Sequence, residues 1–125
     1  MSVTRNPQSA ATTGSPQAPG STQDLVSEVK QTMARYAAIV RSAAGLDQAW
    51  EKLCESQSRA ERLRQANPLD IATNELNNIV TIARLIVFSA RRRIESRGLH
   101  FNTDYPGRDD VLFRRDTVLT RRELH

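Results

Sequence analysis

Arginine, histidine and aspartate side chains follow one another closely near the carboxyl end of the chain, at Arg97, His100 and Asp104. Such a group could transfer protons, because imidazole titrates near neutral pH and charged neighbours can orient it. The alternative is structural, since arginine and histidine can bind the carbonyl groups that a helix end leaves free, or a partner surface. No hydrolase or kinase signature accompanies the group, so the sequence favours the structural role.

The other reactive side chains are scattered along the chain. Cys54 is the single cysteine, so an internal disulfide is excluded, and a lone cysteine in a helical pattern is typical of a small buried apolar residue. The two histidines, His100 and His125, lie 25 residues apart and make no recognisable metal site. The sequence therefore predicts no catalytic residue, no metal ligand and no cofactor-binding residue in this chain.

Composition indicates one small helical domain. Of the 125 residues, 38% are hydrophobic and only 5% are aromatic, which suits helices packed through aliphatic side chains. The longest apolar run, Ile79–Ala90, is too short to span a bilayer and contains polar residues. The N-terminus lacks the apolar core of a signal peptide. We therefore expect a soluble cytoplasmic protein.

The formal net charge of +4 raises the question of nucleic-acid binding. The best basic patch is Arg91-Arg92-Arg93, but successive helical residues point about 100° apart and do not share one face. Aromatic residues are not interleaved with the arginines as stacking platforms. Acidic residues also dilute the field nearby (Glu95, Asp104, Asp109 and Asp110). The pattern favours a role at a helix end and on a solvated face over phosphate binding.

Apolar spacings of three and four residues predict an all-α fold with three helices. Gly45 ends the first pattern, and Asn67-Pro68 ends the second, because proline disfavours helix at the residue before it. Short connections between such helices favour an antiparallel up-down-up bundle. The predicted helices run from a cap at Ser21 or Thr22 to about Ser42, from Leu46 to about Gln65, and from a cap at Asp70 to about Arg97.

The same patterns divide the chain into three parts. Residues 1–22 are rich in Pro, Gly, Ser and Thr, with almost no large aliphatic side chain, and are predicted to be a disordered tail or linker. Residues 23–98 are predicted to form the three-helix bundle. Residues 99–125 are predicted to form an extended C-terminal tail.

The third helix is apolar on more than one side. When Leu76 is set at zero, the stripe that contains Val80, Ala83 and Val87 lies within about 60° of it, at 100° per residue. Leu85 lies near the opposite side and Phe88 near about 120°. A helix of this kind is expected to be buried against more than two partner helices. Leu85 and Phe88 therefore favour a contact with another domain, or with a second copy of the chain. The alternative is that one or two large apolar side chains are simply exposed, which is common.

The segment from Ile94 to Pro106 reads Ile-Glu-Ser-Arg-Gly-Leu-His-Phe-Asn-Thr-Asp-Tyr-Pro. Gly98 suits the left-handed residue just past a helix end, and Leu99 can fold back on the last turn. This segment resembles the C-terminal end of the L-aspartate oxidases, and more loosely that of the succinate dehydrogenase and fumarate reductase flavoproteins. Three further segments resemble the same family in the same order: Tyr36–Arg41, Asn77–Val87, and Arg108–Asp110 with Asp116–Leu119.

The resemblance covers roughly residues 24–120 and implies the helical C-terminal domain of such a flavoenzyme. In that family, FAD-dependent oxidation of L-aspartate to iminoaspartate serves NAD biosynthesis. The scattered glycines of this chain form no Gly-x-Gly-x-x-Gly turn, so the part that binds the flavin is missing. The resemblance therefore implies an accessory domain or fragment that is not catalytic alone and whose partner is a flavin-binding catalytic domain or subunit.

Within the resemblance, the implied role of the C-terminal segment is to dock the bundle on the flavin domain. The residues expected to make this contact are Arg97, Gly98, His100, Asp104, Tyr105, Leu85 and Phe88. Two other interpretations remain open at this point. One is a stand-alone helical protein-interaction module with no enzymatic activity, and the other is a basic helical protein that binds nucleic acid.

Overall fold

Three helices make up most of residues 21–124, the part of the chain that the computed structural model describes. They are α1 (Thr22–Tyr36), α2 (Ala43–Ala66) and α3 (Ile71–Arg92). The prediction of an all-α fold with three helices is confirmed. The predicted disordered segment, residues 1–22, lies outside the described residues except for its last two positions.

Each helix begins at a side chain that accepts a hydrogen bond from its first turn. Ser21 Oγ accepts from the backbone N–H of Asp24 at 3.3 Å, and an Asp70 carboxylate oxygen accepts from that of Thr73 at 3.1 Å. Both caps follow from the sequence, because serine and aspartate satisfy the free N–H groups of a first turn. The third cap, Ser42, was wrongly placed inside the first helix by the sequence pattern.

The helices are antiparallel in the order up-down-up. Glu28 of α1 binds Arg59, late in α2, at 3.0 Å. At the opposite end of α2, Asp47 binds Arg91 of α3 at 2.9 Å. Only four residues separate α2 from α3. The predicted topology of the bundle is therefore confirmed.

The core lies between the three helices and is built almost entirely of leucine, valine and alanine. Leu53 and Leu76 are fully buried, in agreement with the predicted stripes of the second and third helices. Thr32 and Ser56 are also buried, and both line a groove that α1 and α2 share. The buried apolar residues are Leu25, Val29, Ala37, Leu46, Ala49, Leu53, Ala60, Leu76, Val80, Ala83, Val87 and Ala90.

The first helix ends at Tyr36, about six residues earlier than the apolar pattern predicts. The chain then forms strand β1 (Val40–Arg41), which pairs in parallel with strand β2 (Phe101–Asn102). The N–H of Phe101 donates to the carbonyl of Ile39 at 3.0 Å, in place of the helical partners that residues 39–41 would otherwise have. This pairing joins segments that are distant in sequence, so helix periodicity alone cannot predict it.

Gly45 lies inside the first turn of α2 and does not separate two helices as the sequence pattern suggests. Its N–H donates to the capping Ser42 Oγ at 3.0 Å. A Cβ atom at position 45 would lie 3.3 Å from Tyr36 Cδ1 and 3.0 Å from Ser42 Oγ. The absence of a side chain therefore allows the end of α1 to pack closely against the beginning of α2.

The third helix ends at Arg92, about five residues earlier than predicted. Arg93 has an extended backbone with φ −94° and ψ 92° and directs the chain away from the helix axis. The segment that follows forms turns, strand β2 and a terminal 3₁₀ helix, Arg121–Leu124. Leu99 does not fold back on the helix, because 76% of its surface is exposed.

Candidate functional site

Glu95 is the centre of the segment that follows α3. Its carboxylate is fully buried and accepts hydrogen bonds from Arg97 Nε at 2.9 Å and from the backbone N–H of Asp109 at 2.8 Å. A third hydrogen bond comes from the Arg93 guanidinium at 2.5 Å. The hydrogen bonds from Arg97, the N–H of Asp109 and Arg93 hold the pKa of Glu95 at about 2. The carboxylate therefore stays charged and joins three parts of the segment.

Arg97 extends this network into the tail. Its guanidinium also donates to an Asp110 carboxylate oxygen at 2.7 Å. The hydrogen bonds to Glu95 and Asp110 raise the pKa of Arg97 above its usual value. The guanidinium of Arg97 is thus bound to carboxylates of the same chain. It could bind a partner as a free cation only if its hydrogen bonds to Glu95 and Asp110 were broken.

Ser96 and Asn102, which are both buried, close the loop between α3 and the tail. The Ser96 hydroxyl donates to the carbonyl of Tyr105 at 2.8 Å and accepts from the N–H of Asn102 at 2.9 Å. The N–H of Ser96 donates to the carbonyl of Gly107 at 2.9 Å. One serine therefore fixes the loop at three points.

Gly98 has a positive φ of 58°, the conformation that the sequence predicts for it. Its place differs from the prediction, because it is the first central residue of a tight turn and not the residue after a helix end. The turn is closed by the N–H of Arg97 donating to the carbonyl of His100 at 2.8 Å and by the reverse bond at 3.0 Å. Glycine at the first central position suits a turn of this kind.

His100 connects this turn to the bundle. Its Nδ1 lies 2.8 Å from an Arg41 guanidinium nitrogen, and its Nε2 lies 2.9 Å from the carbonyl oxygen of Arg93. The contact with Arg93 is the tie between the tail and a helix-end carbonyl that the structural interpretation of the sequence expects. Burial, and then the charges of Arg41 and Arg93, lower the pKa of His100.

Asp104 forms a second connection between the tail and the bundle. One of its carboxylate oxygens accepts from the backbone N–H of Ala43, the first residue of α2, at 2.7 Å. A carboxylate at a helix N-terminus satisfies a free N–H group and interacts favourably with the helix dipole. Asp104 therefore caps α2 together with Ser42.

The tail beyond residue 110 is held mainly by arginines of α3 and its C-terminal end. Arg93 donates to the carbonyls of Phe113, at 2.7 Å, and Arg115. Arg84 is buried, donates to the carbonyl of Leu124 at 3.1 Å, and lies 4.8 Å from the centre of the Trp50 ring. The sequence assigned Arg93 to a helix end and a solvated face. In the structure its guanidinium instead binds two carbonyl groups of the tail.

The remaining residues of the predicted docking set divide between two shallow grooves. Phe88 packs against Trp50 with ring centres 5.4 Å apart and shares one groove with Tyr105. Leu85 shares the other groove with His100. Tyr105 is 43% exposed, whereas Leu85 and Phe88 are half-buried within the chain. The structure therefore places Leu85 and Phe88 in separate grooves, and the docking role of the set stays a prediction.

Large apolar side chains are exposed close to these grooves. On α3, Ile82 is 56% exposed and Ile86 is 42% exposed, although neither belonged to the predicted docking set. Around the strand pair, Val40 is 62% exposed and Phe101 is 39% exposed. Ile86 lines the same groove as Leu85 and His100. Two large apolar side chains are thus exposed on the outer face of α3 although the core of the bundle is already complete.

These polar groups form a network that is internal to the chain. The carboxylates of Glu95 and Asp104 and the ring of His100 are each bound to groups of the same chain. Among residues 21–124, no three His, Cys, Asp or Glu side chains are grouped so that they could hold a metal ion. None of the helices in this range has the length and apolarity that crossing a membrane requires.

The described residues also do not fit a flavin dinucleotide. In the folds that bind such cofactors, a glycine-rich turn between a strand and a helix approaches the pyrophosphate. The strands paired in the described part of the chain have two residues each, and both Gly98 and Gly107 lie in the tail. No step of flavin chemistry is therefore assigned to these residues.

Reasoning from the sequence missed the roles of Glu95, Arg41, Ser96 and Asn102. Glu95 was counted only among the acids that dilute the positive field near the arginines. Its burial depends on Asp109, which lies 14 residues further along the chain. The one local signal was the pattern Arg93-x-Glu95-x-Arg97, in which two arginines flank an acid at the same spacing.

The chain is similar to flavoproteins along most of its length. A family model described as the C-terminal region of fumarate reductase flavoprotein matches residues 26–125. The chloroplastic L-aspartate oxidase of Arabidopsis thaliana is 33% identical over 90 residues, which are 68% of this chain and 14% of that protein. The fumarate reductase flavoprotein subunit of Mycobacterium tuberculosis is 34% identical over 104 residues, 78% of this chain and 18% of that protein.

The matched part of each relative is short. An FAD-dependent oxidoreductase of Methanocaldococcus jannaschii is 33% identical over 84 residues, which are 66% of this chain and 16% of that protein. The chain thus spans about a sixth of the length of the curated relatives that it matches. No solved structure gives a significant match. Since the family model covers both the bundle and the tail, the chain belongs to the family of fumarate reductase flavoprotein C-terminal domains.

Proposed function

We propose that this chain is the helical accessory domain of an L-aspartate oxidase, and that it docks on a flavin-binding body that carries the FAD and the catalytic groups. The membership of residues 26–125 in the flavoprotein C-terminal family is the observation that carries the proposal. Several of the relatives are L-aspartate oxidases, including that of Streptomyces coelicolor, which is 30% identical over 95 residues. The assembled enzyme would oxidise aspartate in the cytoplasm, as a step of NAD biosynthesis.

The outer face of α3 supports this proposal. Ile82 and Ile86 lie one helical turn apart, so they project from the same side of the helix. Both are more than 40% exposed, and Leu85 lies beside them, half-buried. Contiguous apolar surface on a polar protein is typical of an interaction site. The flavin-binding body would cover this face.

The segment after α3 would form the second part of the same contact. Its internal network, centred on Glu95, holds the turn rigid and leaves Gly98 and Tyr105 exposed at its edge. Arg97, His100 and Asp104 would then contribute by fixing the shape of this edge, because their polar atoms are bound inside the chain. A preformed surface loses little conformational entropy on binding.

Affinity purification of the tagged chain from its own cell extract tests the proposal. We expect the eluate to show flavin absorbance and to release peroxide when aspartate is added. The double variant Ile82→Asp/Ile86→Asp should lose both signals, because two carboxylates would be buried without partners in the contact. The variant should keep its helical circular dichroism, because both positions are already exposed to water.

A matched control is available at the other end of the bundle. Leu69 in the turn before α3 is 94% exposed and Ile71, the first residue of α3, is 73% exposed, so Leu69→Asp/Ile71→Asp introduces the same two charges far from the proposed contact. This variant should retain flavin absorbance and aspartate oxidation. A colourless eluate from the unaltered chain, or equal losses in both variants, would contradict the proposed docking face.

A further inference from the structure

The contacts of His100 define its protonation state. Arginine can only donate hydrogen bonds, so the Arg41 guanidinium at 2.8 Å requires a lone pair on His100 Nδ1. The carbonyl oxygen of Arg93, at 2.9 Å from Nε2, can only accept, so it requires a proton on that nitrogen. Both contacts are satisfied by the neutral imidazole with its hydrogen on Nε2. A protonated ring would keep the Arg93 contact and lose the Arg41 contact.

Cations surround the ring from two separate elements. Arg41 approaches from β1, and Arg93 from the C-terminal end of α3. The Glu95 carboxylate favours a charged ring. It also accepts hydrogen bonds from Arg97 and Arg93, and these two positive charges offset its negative charge. Apart from Arg41 and Arg93, the polar residues that line the groove beside the ring are the uncharged Ser89 and Thr117. A third positive charge at this position is therefore unfavourable.

The Arg41–His100 contact lies directly beside the strand pair. Arg41 is part of β1, and His100 immediately precedes β2. Each strand has only two residues, and the pair is joined by backbone bonds such as that from the N–H of Thr103 to the carbonyl of Arg41, at 2.7 Å. A pair this short is not stable alone. Its stability depends on the contacts beside it.

We infer that Arg41 and neutral His100 form a pH-sensitive latch that closes the tail on the bundle, and that protonation of His100 opens the β1–β2 pair. In the open state, the turn from Arg97 to His100 would be released from the connection between α1 and α2. The three helices would remain folded, because their core lies between them and does not include the strands. The latch does not depend on the proposed docking function.

The direction of the pH dependence follows from linkage. Burial, and then the charges of Arg41 and Arg93, lower the pKa of His100 in the folded state. A group with a lowered folded pKa contributes stability that is present above its ordinary value, near about 6.5, and is lost as the pH falls below it. Closure should therefore be complete at pH 7.5 and weaken towards pH 5.

Amide hydrogen exchange of the full chain tests the latch. After correction for intrinsic exchange, the protection of the Phe101 and Thr103 amides should fall several-fold between pH 7.5 and 5.5, whereas amides in the middle of α2 should not change. In His100→Gln the protection should be independent of pH, because the amide cannot gain a charge in this range. Unchanged protection in the unaltered chain, or the same pH dependence in His100→Gln, would overturn the inference.

A titration of the imidazole by NMR covers the case in which glutamine disturbs the latch at every pH. The His125→Gln variant leaves a single imidazole signal, which then belongs to His100. Its pKa should lie below the ordinary value, and adding Arg41→Gln should raise it, because one facing cation is removed. An imidazole pKa at or above the ordinary value, or one that Arg41→Gln leaves unchanged, would also overturn the inference.

Discussion

At the scale of single residues, the buried Glu95 carboxylate organises the C-terminal part of the molecule. It binds Arg93, Arg97 and the N–H of Asp109, which come from the end of α3, the turn and the tail. A buried charge is tolerated only when it is paired and hydrogen-bonded, and here each partner also fixes a separate segment. Loss of this charge should therefore affect the whole segment and not only one contact.

Glu95→Gln should lower the thermal unfolding midpoint by several degrees at neutral pH, because two arginines lose their shared carboxylate. The pKa of Glu95 is about 2 when folded, below its ordinary value, so its contribution is present above pH 4.5 and is lost as the pH falls towards 2. The difference between the unaltered chain and the variant, followed by circular dichroism, should shrink over this range. A difference that stays constant from pH 5 to pH 2.5 would contradict the assignment.

The side chains of this segment were only partly predictable. The tie of His100 to a helix-end carbonyl was expected from the sequence and is present as the contact with Arg93. The buried role of Glu95 was not expected, because its burial is produced by residues that lie beyond the turn. The local sequence indicates which side chains can form hydrogen bonds or ion pairs. The path of the tail then decides which of these side chains come into contact.

At the scale of elements, the tight turn of residues 97–100 sets the direction of the tail. Gly98 has a φ of 58°, and a Cβ atom there would meet no other atom within 4 Å. Any cost of a side chain at this position is therefore conformational and not steric. Gly107 also has free space around it, but its φ is not positive.

Gly98→Ala should destabilise the chain by about 1–2 kcal/mol, the cost of placing a side chain in the left-handed region. Gly107→Ala is the matched control and should change the unfolding free energy by less than about 0.5 kcal/mol. Urea unfolding of the two variants, followed by circular dichroism, measures this difference. Equal effects of the two substitutions would show that the conformation of Gly98 does not limit stability.

The helices themselves were predicted more reliably than their ends. The caps at Ser21 and Asp70 act within one turn, so they could be recognised from neighbouring residues alone. The ends at Tyr36 and Arg92 could not, because in both cases the backbone leaves the helix to bind another part of the chain. Apolar periodicity continues past both points and therefore predicts helices that are too long.

At the scale of the whole molecule, residues 21–124 enclose a core between three helices, and the tail binds to the outside of this bundle. Leu53 is fully buried in this core, whereas Leu69 is 94% exposed. Leu53→Ala should reduce the unfolding free energy by about 2–5 kcal/mol, because it removes buried apolar contacts and leaves a cavity.

Leu69→Ala, the same change at the surface, should cost less than about 0.5 kcal/mol. Chemical denaturation of both variants at one pH, followed by circular dichroism, provides the comparison. A small effect of Leu53→Ala would mean that the helices are stabilised mainly by contacts outside this core.

The sequence by itself determined the three helices, their apolar stripes, their antiparallel order and the membership of the flavoprotein C-terminal family. The helices, their stripes and their order depend on periodicity, capping and short connections, all of which act between residues close in the chain. The family was indicated instead by the resemblance of the segment from Ile94 to Pro106 and of three further segments. The tertiary structure alone decided the β1–β2 pair, the contact between Arg41 and His100 across 59 positions, and the capping of α2 by Asp104 across 61. Contacts over such separations form only after the bundle has brought the segments together, and local sequence carries no direct signal for them.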